Sequence, residues 1–169
     1  MITKATLENI TEITNLVNSA YRGETSKKGW TTEANILEGT RITETELTEI
    51  LQDSNNTFLI YQENNKIIGT VLLTNKKSEL YLGMLTISPD LQNAGLGKKL
   101  LQAAEDFAHS SGLPKIVMTV ITIREELIAW YKRNGYTDTG KREPFPANLD
   151  DVVLHSEPLE FMVLEKNII

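Results

Sequence analysis

The sequence predicts one domain, residues 1–169, of the α+β class, with a mixed, mostly antiparallel central sheet of about six or seven strands and about four helices. Two observations predict this class. Three strand-like segments follow one another across short turns, which is typical of an antiparallel meander. An apolar segment at 115–121 follows a helical pattern, so it should form a strand parallel to the one before that helix.

The chain begins with a short strand and a helix. Residues 2–5 have strand character, and Asn9 with Glu12 forms an N-x-x-E pattern that can cap a helix. Apolar residues then recur at helical spacing as far as Tyr21. Residues 22–41 are polar, contain three glycines and a tryptophan, and are too many for an ordinary connection, which is typical of a functional or disordered loop.

A second helix and the meander follow. Thr43 and Glu46 have the spacing of a capping box, which predicts a helix that continues to about Gln52. Two short, turn-rich segments then separate the three strands of the meander, at 57–62, 66–74 and 78–87.

The sequence pattern of the C-terminal half predicts two helices and three strands. Apolar residues at helical spacing over 96–108 indicate an amphipathic helix, which Gly112 ends. Thr122 and Glu125 form a third capping box and predict a helix over 124–134. The strands are at 115–121, 136–140 and 158–166.

The composition argues against several classes of protein. The chain has no cysteine, which excludes disulfides, thiolate metal sites and a cysteine nucleophile. Its two histidines, His109 and His155, have polar neighbours typical of solvated side chains, so we expect no metal. The net charge of −6 disfavours a nucleic-acid surface. The sequence has no apolar run long enough to span a membrane and no secretory signal pattern, so we expect a cytoplasmic protein.

Residues 92–97, Gln-Asn-Ala-Gly-Leu-Gly, stand where a strand passes into a helix. Backbone N–H groups at such a junction are unpaired and suit an anion. A Walker A loop is excluded, because Gly97-Lys98 is followed by another lysine. A dinucleotide fingerprint is excluded, because Leu100 stands where the third glycine is required. A phosphate-binding Q-x-x-G-x-G turn and a tight turn without a ligand are the remaining interpretations.

The motifs "QNAGLG" and "AWYKRNGY", in this order of elements, resemble those of the GNAT superfamily of N-acetyltransferases, and the resemblance extends over nearly the whole chain. It implies acetyl-CoA as the acyl donor, with the pyrophosphate on the glycine turn and the pantetheine in a gap where two parallel strands splay apart. Arg124 departs from the family, which commonly has an asparagine there. The implied cofactor-binding residues are Leu85, Thr86, Ile87, Gln92, Asn93, Ala94, Gly95, Leu96, Gly97, Lys98 and Arg124.

Acetyl transfer to an amine requires a neutral amine, a donor for the tetrahedral oxyanion and a proton for the departing thiolate. The resemblance implies that Tyr131 supplies the proton; a core tyrosine is the alternative. A splayed or bulged strand near Met84 or Leu85 would offer a backbone N–H to the oxyanion. The family often has a glutamate base where this chain has Tyr81. Glu79, two residues earlier on the same strand face, is the candidate base, and an exposed strand-end carboxylate is the alternative.

The acceptor pocket is predicted to include an aromatic residue with carboxylates, a combination that suits a cationic amine. We therefore predict an N-acetyltransferase that acts on a primary amine of a small molecule and binds neither nucleic acid nor membrane. A protein lysine or N-terminal acetyltransferase, a catalytically idle acyl-CoA sensor and a homodimer remain open. The predicted pocket residues are Tyr21, Glu24, Trp30, Glu33, Tyr81 and Phe145.

Overall fold

The computed structural model describes residues 1–21, 37–38, 41–91, 95–144, 152–153 and 159–168. The longer helices of these ranges are α1 (Ile10–Tyr21), α2 (Glu44–Gln52), α3 (Leu96–Ser110) and α4 (Glu125–Arg133). Two short 3₁₀ turns, Leu7–Asn9 and Pro89–Leu91, precede α1 and α3. The strands are β1 (Ile2–Lys4), β2 (Leu37–Glu38), β3 (Asn56–Glu63), β4 (Lys66–Asn75), β5 (Leu80–Ile87), β6 (Lys115–Ile121), β7 (Thr137–Pro144), β8 (Val152–Val153) and β9 (Glu160–Asn167).

Seven of these strands form one sheet in the order β1-β3-β4-β5-β6-β9-β7, and β2 pairs with β8 in a separate two-stranded ribbon. The β5 and β6 strands are parallel, and every other neighbouring pair in the large sheet is antiparallel. The α3 helix lies between β5 and β6 in the chain, as the crossover of a parallel pair requires. The predicted α+β class and mixed sheet are confirmed.

The parallel strands β5 and β6 separate along their length. They pair only at their first residues, where Leu80 lies opposite Ile116 and Tyr81 lies opposite Val117. Each strand continues for several residues beyond the last pair, to Ile87 in β5 and Ile121 in β6. The predicted splayed pair is therefore present, and its open end lies at the carboxyl ends of the two strands.

The β5 strand is also distorted against its other neighbour, β4. Thr70 pairs with Thr86 and Leu72 pairs with Gly83, so Val71 faces two residues of β5. One of these two, Met84, has a φ of 49°, which is a left-handed conformation unfavourable for a side chain of this size. The irregularity re-aims the β5 backbone beside the open end of the gap, as bulges do.

Two clusters of buried apolar side chains cover the two faces of the sheet. Alternation along β3 separates them, because Phe58 and Ile60 belong to the cluster with α1 and α2, whereas Leu59 belongs to the cluster with α3 and α4. Tyr21, at the end of α1, is in the first cluster, and Tyr131, in the last turn of α4, is in the second. The two tyrosines therefore approach the sheet from opposite faces.

The predicted cap of α2 at Thr43 is confirmed, because its Oγ1 atom accepts from the Glu46 N–H group at 3.2 Å, although the Glu46 carboxylate accepts from the Thr43 hydroxyl rather than from its backbone N–H group. The predicted capping boxes of α1 and α4 are wrong. Asn9 lies in the 3₁₀ turn before α1, and its Oδ1 atom accepts a hydrogen bond from the Thr6 N–H group at 2.9 Å. Glu12, the expected partner of Asn9, accepts from the Ile67 N–H group of β4 at 2.7 Å instead. A contact between distant elements thus uses the carboxylate that the local pattern had assigned to the helix end.

The capping position of α4 is occupied by Arg124, whose side chain makes no capping hydrogen bond. Thr122 belongs to the preceding turn, where its N–H group donates to the Glu160 carbonyl at 2.9 Å. Strand β6 thus extends its pairing with β9 beyond Ile121, and this moves the start of α4 two residues past the predicted cap. Arg124 is consequently placed beside the open end of the β5/β6 gap.

No helix in the described ranges is both long enough and apolar enough to cross a membrane.

Candidate active site

The centre of the candidate site is a buried hydrogen bond between α1 and β5. The hydroxyl group of Tyr21 donates to the carbonyl oxygen of Leu85 at 2.5 Å. Leu85 follows the left-handed residue Met84, so the bond lies on the distorted part of β5. An α1 side chain therefore reaches the open end of the strand gap.

Arg124 places a positive charge on the same tyrosine. The carbon at the centre of its guanidinium group lies 5.9 Å from the centroid of the Tyr21 ring. The Arg124 backbone N–H group donates to the Ile121 carbonyl at 3.0 Å, and its carbonyl accepts from Ile128 at 3.1 Å. These bonds fix the backbone of Arg124 between β6 and α4.

Tyr131 is buried on the same inward face of α4 as Ile128 and Leu127, which lie three and four residues earlier. Burial raises the pKa of Tyr131 far above that of a free tyrosine, and the neighbouring Tyr21 raises the pKa further, whereas Arg124 lowers it. The Tyr131 hydroxyl therefore stays protonated at neutral pH. It is close enough to Tyr21 and Arg124 for both to affect its charge state.

The two glycines of the turn are required for different reasons. Gly95 has a φ of 80°, and a Cβ atom added to it would meet no atom of the described residues within 4 Å apart from its chain neighbours. Glycine at 95 thus serves the left-handed backbone conformation at the start of α3. A Cβ atom on Gly97 would instead lie 3.1 and 3.2 Å from two ring carbons of Trp130, so glycine at 97 allows α3 and α4 to pack closely.

The closed end of the gap is bridged by two hydroxyl groups. The Tyr81 hydroxyl on β5 and the Thr119 hydroxyl on β6 are 2.7 Å apart, just beyond the last paired residues of the two strands. The Nζ atom of Lys76 lies 5.9 Å from the centroid of the Tyr81 ring. Tyr81 thus joins the two strands where they begin to separate.

Glu79 lies in the turn between β4 and β5, where its carbonyl accepts from the Lys76 N–H group at 2.9 Å. Six residues separate it from Leu85, a distance of about 20 Å along an extended strand. The groups that perturb the Tyr131 hydroxyl are Tyr21, Arg124, Tyr136 and Tyr81, and Glu79 is not among them. The structure does not bring Glu79 to the Tyr131 hydroxyl, and its role as a base stays a prediction.

Of the predicted site residues, the structure brings together Tyr21, Leu85, Arg124 and Tyr131, with Tyr81 further along the gap. Thr86 and Ile87 continue β5 beside the opening, Leu96 is buried at the start of α3, and Lys98 is exposed there. Seven predicted residues lie outside the described ranges: Glu24, Trp30, Glu33, Gln92, Asn93, Ala94 and Phe145.

Sequence reasoning missed Arg41 and Thr119. The Arg41 guanidinium carbon lies 5.6 Å from the centroid of the Tyr21 ring. No local pattern marks Arg41, because its contact with Tyr21 joins residues that are far apart in the sequence. Thr119 did carry a signal, since it is a polar residue inside an otherwise apolar strand segment. In the described part of the chain, no group of three His, Asp or Glu side chains could hold a metal ion.

Comparisons with known proteins show the family and the fold of the chain. The family model of the acetyltransferase (GNAT) family matches residues 11–136. No curated protein sequence shows significant similarity to the chain. Solved structures share the fold at low identity. The protein smu.2055 from Streptococcus mutans UA159 is 15% identical with a TM-score of 0.76, and the match covers 100% of this chain and 99% of that one.

Two further structures carry names that state an activity. The ribosomal-protein-S18-alanine N-acetyltransferase from Escherichia coli is 14% identical with a TM-score of 0.74, covering 99% of this chain and 93% of its own. The PaiA N-acetyltransferase from Thermoplasma acidophilum, solved in complex with coenzyme A, is 17% identical with a TM-score of 0.69, covering 99% and 98%. At these identities the likeness concerns the fold.

Proposed function

Because the chain belongs to the GNAT family of acetyltransferases, which take an acetyl group from acetyl-CoA, we propose that it transfers this group to a primary amine of a small molecule. The observation that carries the proposal is the separation of β5 and β6 after Tyr81 and Val117. Tyr21 is bonded to Leu85 on the distorted strand β5 beside the resulting gap. Tyr131 is buried on α4, and Tyr21 and Arg124 both affect its pKa, which supports a place for its hydroxyl near this gap.

The gap suits the extended, amide-containing arm of acetyl-CoA. Beyond Tyr81, the edge of β5 that faces β6 has no strand partner, so its backbone groups can pair with amides of a ligand. The open space at Gly95 and the unpaired N–H groups that begin α3 suit the phosphates, and the exposed Lys98 adds positive charge. When bound, acetyl-CoA supplies an activated acyl carbon whose bond to sulfur is broken.

The protein side of the reaction then has two parts. The amine nitrogen forms a bond to the acyl carbon, a backbone N–H group of β5 near Met84 or Leu85 stabilises the oxyanion, and the carbon–sulfur bond breaks. Tyr131 donates its hydroxyl proton to the departing thiolate. Arg124 favours this transfer, because its positive charge lowers the pKa of Tyr131 against the effect of burial.

Removal of the amine proton has several candidate routes. Glu79 remains the carboxylate nearest in sequence to the family position of the base, but it lies about 20 Å along the strand from Leu85. Tyr81 occupies that family position itself, and its hydroxyl contacts Thr119. Deprotonation by solvent is the third route. A pH–rate profile of Glu79→Gln separates them, because loss of a true base lowers the rate most at neutral pH.

A protein acceptor is the second candidate. Two solved structures with this fold are named as ribosomal-protein alanine N-acetyltransferases, from Escherichia coli and from Brucella melitensis. A catalytically idle acyl-CoA sensor is the third. A location in the cytoplasm, one domain over residues 1–169 and use of no metal are further predictions that we retain from the sequence.

The experiment combines binding with turnover. Acetyl-CoA should bind to the wild-type protein in calorimetry, and Gly95→Val should weaken this binding at least tenfold, because a branched side chain is strained at a φ of 80° and narrows the turn. Release of free thiol is then followed with small amines and with peptides. Binding with turnover of small amines supports the proposal, peptide turnover alone supports the second candidate, and binding without turnover supports the sensor.

A further inference from the structure

We propose that Tyr81, Gly83 and Thr119 form a subsite for the transferred acyl group and restrict this group to a short chain. The inference rests on the proposed function and deepens it, because it assigns the choice of acetyl over longer acyl groups to three residues of this chain. It comes from the side chains at the closed end of the β5/β6 gap.

The Tyr81–Thr119 bond crosses the gap beyond the last backbone pair. Strand pairing ends at Tyr81 and Val117, and Thr119 lies two residues further along β6, about 7 Å towards the open end. The two hydroxyl oxygens are 2.7 Å apart, so the Tyr81 side chain extends in this direction as far as Thr119. A side-chain bond therefore sets how far a ligand can enter the gap.

Gly83 leaves a space beside this bond. A Cβ atom added to Gly83 would lie 3.5 Å from the Cε1 atom of the Tyr81 ring, and within 4 Å of no other atom of the described residues apart from its chain neighbours. Strand alternation places Gly83 and Tyr81 on one face of β5, opposite the face of Leu82, which packs in the cluster with α3 and α4. The Tyr81 ring is thus a wall of the space that the missing side chain leaves.

The three residues are accessible, unlike their neighbours in the chain. Tyr81, Gly83 and Thr119 are partly exposed, whereas Leu82 of β5 and Met118 of β6 are buried. A small group that enters the gap can therefore contact this surface without displacing the apolar core.

The place where we expect the acyl carbon adjoins this space. Gly83 immediately precedes the left-handed residue Met84, near which a backbone N–H group would bind the oxyanion. Burial is the largest cause that raises the pKa of Tyr131, and Tyr81 also raises it, which supports a place for Tyr81 near the proposed proton donor. A chain attached to the acyl carbon would thus extend towards Gly83 and meet the Tyr81 ring.

Both residues of the bond are held by the strands outside the gap. Tyr81 pairs with Thr74 of β4, and Thr119 pairs with Val163 of β9. The Nζ atom of Lys76 also lies 5.9 Å from the centroid of the Tyr81 ring. A longer acyl chain would have to break the hydroxyl bond or disturb strand pairing, and such overpacking is unfavourable.

The test measures how affinity depends on the length of the acyl chain. Calorimetry without an acceptor amine compares free coenzyme A with its acetyl, propionyl, butyryl and hexanoyl thioesters. We expect acetyl-CoA to bind at least about tenfold more tightly than butyryl-CoA or hexanoyl-CoA, because one methylene group too many in a closed space changes selectivity by about 10–200-fold. Thiol release with any amine that is acetylated should show the same order in kcat/KM.

Variants of Thr119 assign the preference to the closed end of the gap. Thr119→Ala should reduce the ratio of acetyl-CoA to butyryl-CoA affinity by about fivefold or more, because it removes the bond and opens space. Thr119→Val, which has a similar size, should keep most of the ratio. Thr139→Ala is the control, because Thr139 is a partly buried threonine on β7 whose hydroxyl donates to the Val163 carbonyl at 2.8 Å.

A variant of Gly83 fills the space instead. The φ of Gly83 lies outside the left-handed range, and the added Cβ atom is in ordinary contact with the Tyr81 ring, so Gly83→Ala should fold normally. It should weaken the binding of propionyl-CoA about fivefold or more relative to free coenzyme A, whose affinity should stay within about threefold of wild type.

Equal affinity for acetyl-CoA and butyryl-CoA overturns the inference. An affinity ratio that Thr119→Ala leaves intact also overturns it, as does propionyl-CoA binding that Gly83→Ala leaves intact. A chain-length preference in binding without acetylation of any amine supports the subsite and counts against the proposed function. Acetylation at equal rates from all four thioesters means the reverse, and a protein that binds none of them contradicts both.

Discussion

Two buried tyrosines five residues apart, Tyr131 and Tyr136, have surroundings that differ in one respect. Both rings are almost fully buried, and they contact each other edge to face with centroids 5.9 Å apart. Burial is the largest cause that raises the pKa of each above that of a free tyrosine. The Tyr131 hydroxyl is close to Tyr21 and Arg124 at the strand gap, whereas the Tyr136 hydroxyl is buried with no hydrogen-bond partner.

The difference teaches that burial and a raised pKa do not identify an acid. After burial, the charge of Glu105 raises the pKa of Tyr136 further, and the Nζ atom of Lys166 lies 6.0 Å from the centroid of the Tyr136 ring. Lys166 and Glu105 pair with each other at 2.9 Å, so neither is directed to a ligand. The charge interactions with Tyr21 and Arg124 distinguish Tyr131, and Tyr136 is therefore its natural control.

The largest expected effect is on turnover. Tyr131→Phe should lower the single-turnover rate at saturating acetyl-CoA by roughly 10²–10⁴-fold, because the ring still packs but the proton donor is lost. Tyr136→Phe should keep the rate within about threefold of wild type. Single-turnover rates are the appropriate measurement, since product release can limit steady-state turnover. A wild-type rate in Tyr131→Phe would reduce Tyr131 to a core residue.

A smaller effect is expected from the partner of Leu85. Tyr21→Phe removes the hydrogen bond to the Leu85 carbonyl and frees the distorted part of β5. We expect kcat to fall by roughly tenfold, while the affinity for acetyl-CoA stays within about threefold, because loss of a buried hydrogen bond costs on the order of 1 kcal/mol. An unchanged kcat together with weaker acetyl-CoA binding would assign Tyr21 to the cofactor rather than to the reaction.

The buried hydroxyl of Tyr136 also predicts an effect on the free energy of unfolding. Tyr136→Phe removes a buried hydroxyl that has no partner, so the free energy of unfolding should rise by about 1 kcal/mol and Tm by about 2–4 °C. Thermal unfolding at pH 7 measures this. A loss of more than 1 kcal/mol would mean that the hydroxyl is satisfied in solution, for instance by a buried water molecule.

The smallest expected effect appears only in alkaline solution. The pKa of Tyr136 is higher in the folded protein than the value of about 10 in an unfolded chain, so its neutral form contributes stability below pH 10 that is lost as the pH rises above 10. One such group removes at most about 1.4 kcal/mol per pH unit. Tm of Tyr136→Phe should therefore fall less steeply than that of wild type between pH 9 and 11. Parallel slopes would show that Tyr136 ionises normally.

Most of the fold could be predicted, because it rests on periodicity. The meander and the apolar segment of β6 follow from patterns only a few residues long, and they fix which strands are neighbours. The predicted caps at Asn9 and Thr122 are wrong, because contacts with strands distant in sequence use the same segments. The Glu12 carboxylate accepts from the backbone of β4, and the Thr122 N–H group donates to the Glu160 carbonyl of β9.

The site was predictable where it coincides with a motif and not where it depends on tertiary contacts. Tyr131 and Gly95 belong to recognisable sequence segments, and their predicted roles stay predictions. Arg41 lies against the Tyr21 ring where the Asn18 side chain binds its backbone N–H group, a contact between residues far apart in the sequence. The packing of Gly97 against Trp130 depends on how α3 crosses α4, and no residue spacing encodes that.

The two paired positions between β5 and β6 have a mechanical consequence. The four strands on one side and the three on the other are paired through Leu80–Ile116 and Tyr81–Val117, so the two halves of the sheet share only a short backbone pairing. The apolar cluster beneath α3 and α4, which contains residues of both halves of the sheet, also holds the halves together. The Tyr81–Thr119 bond does so where the strands β5 and β6 begin to separate. The width of the β5/β6 gap therefore depends on side-chain packing more than on backbone hydrogen bonds between the two strands, and side-chain packing can adjust by small amounts.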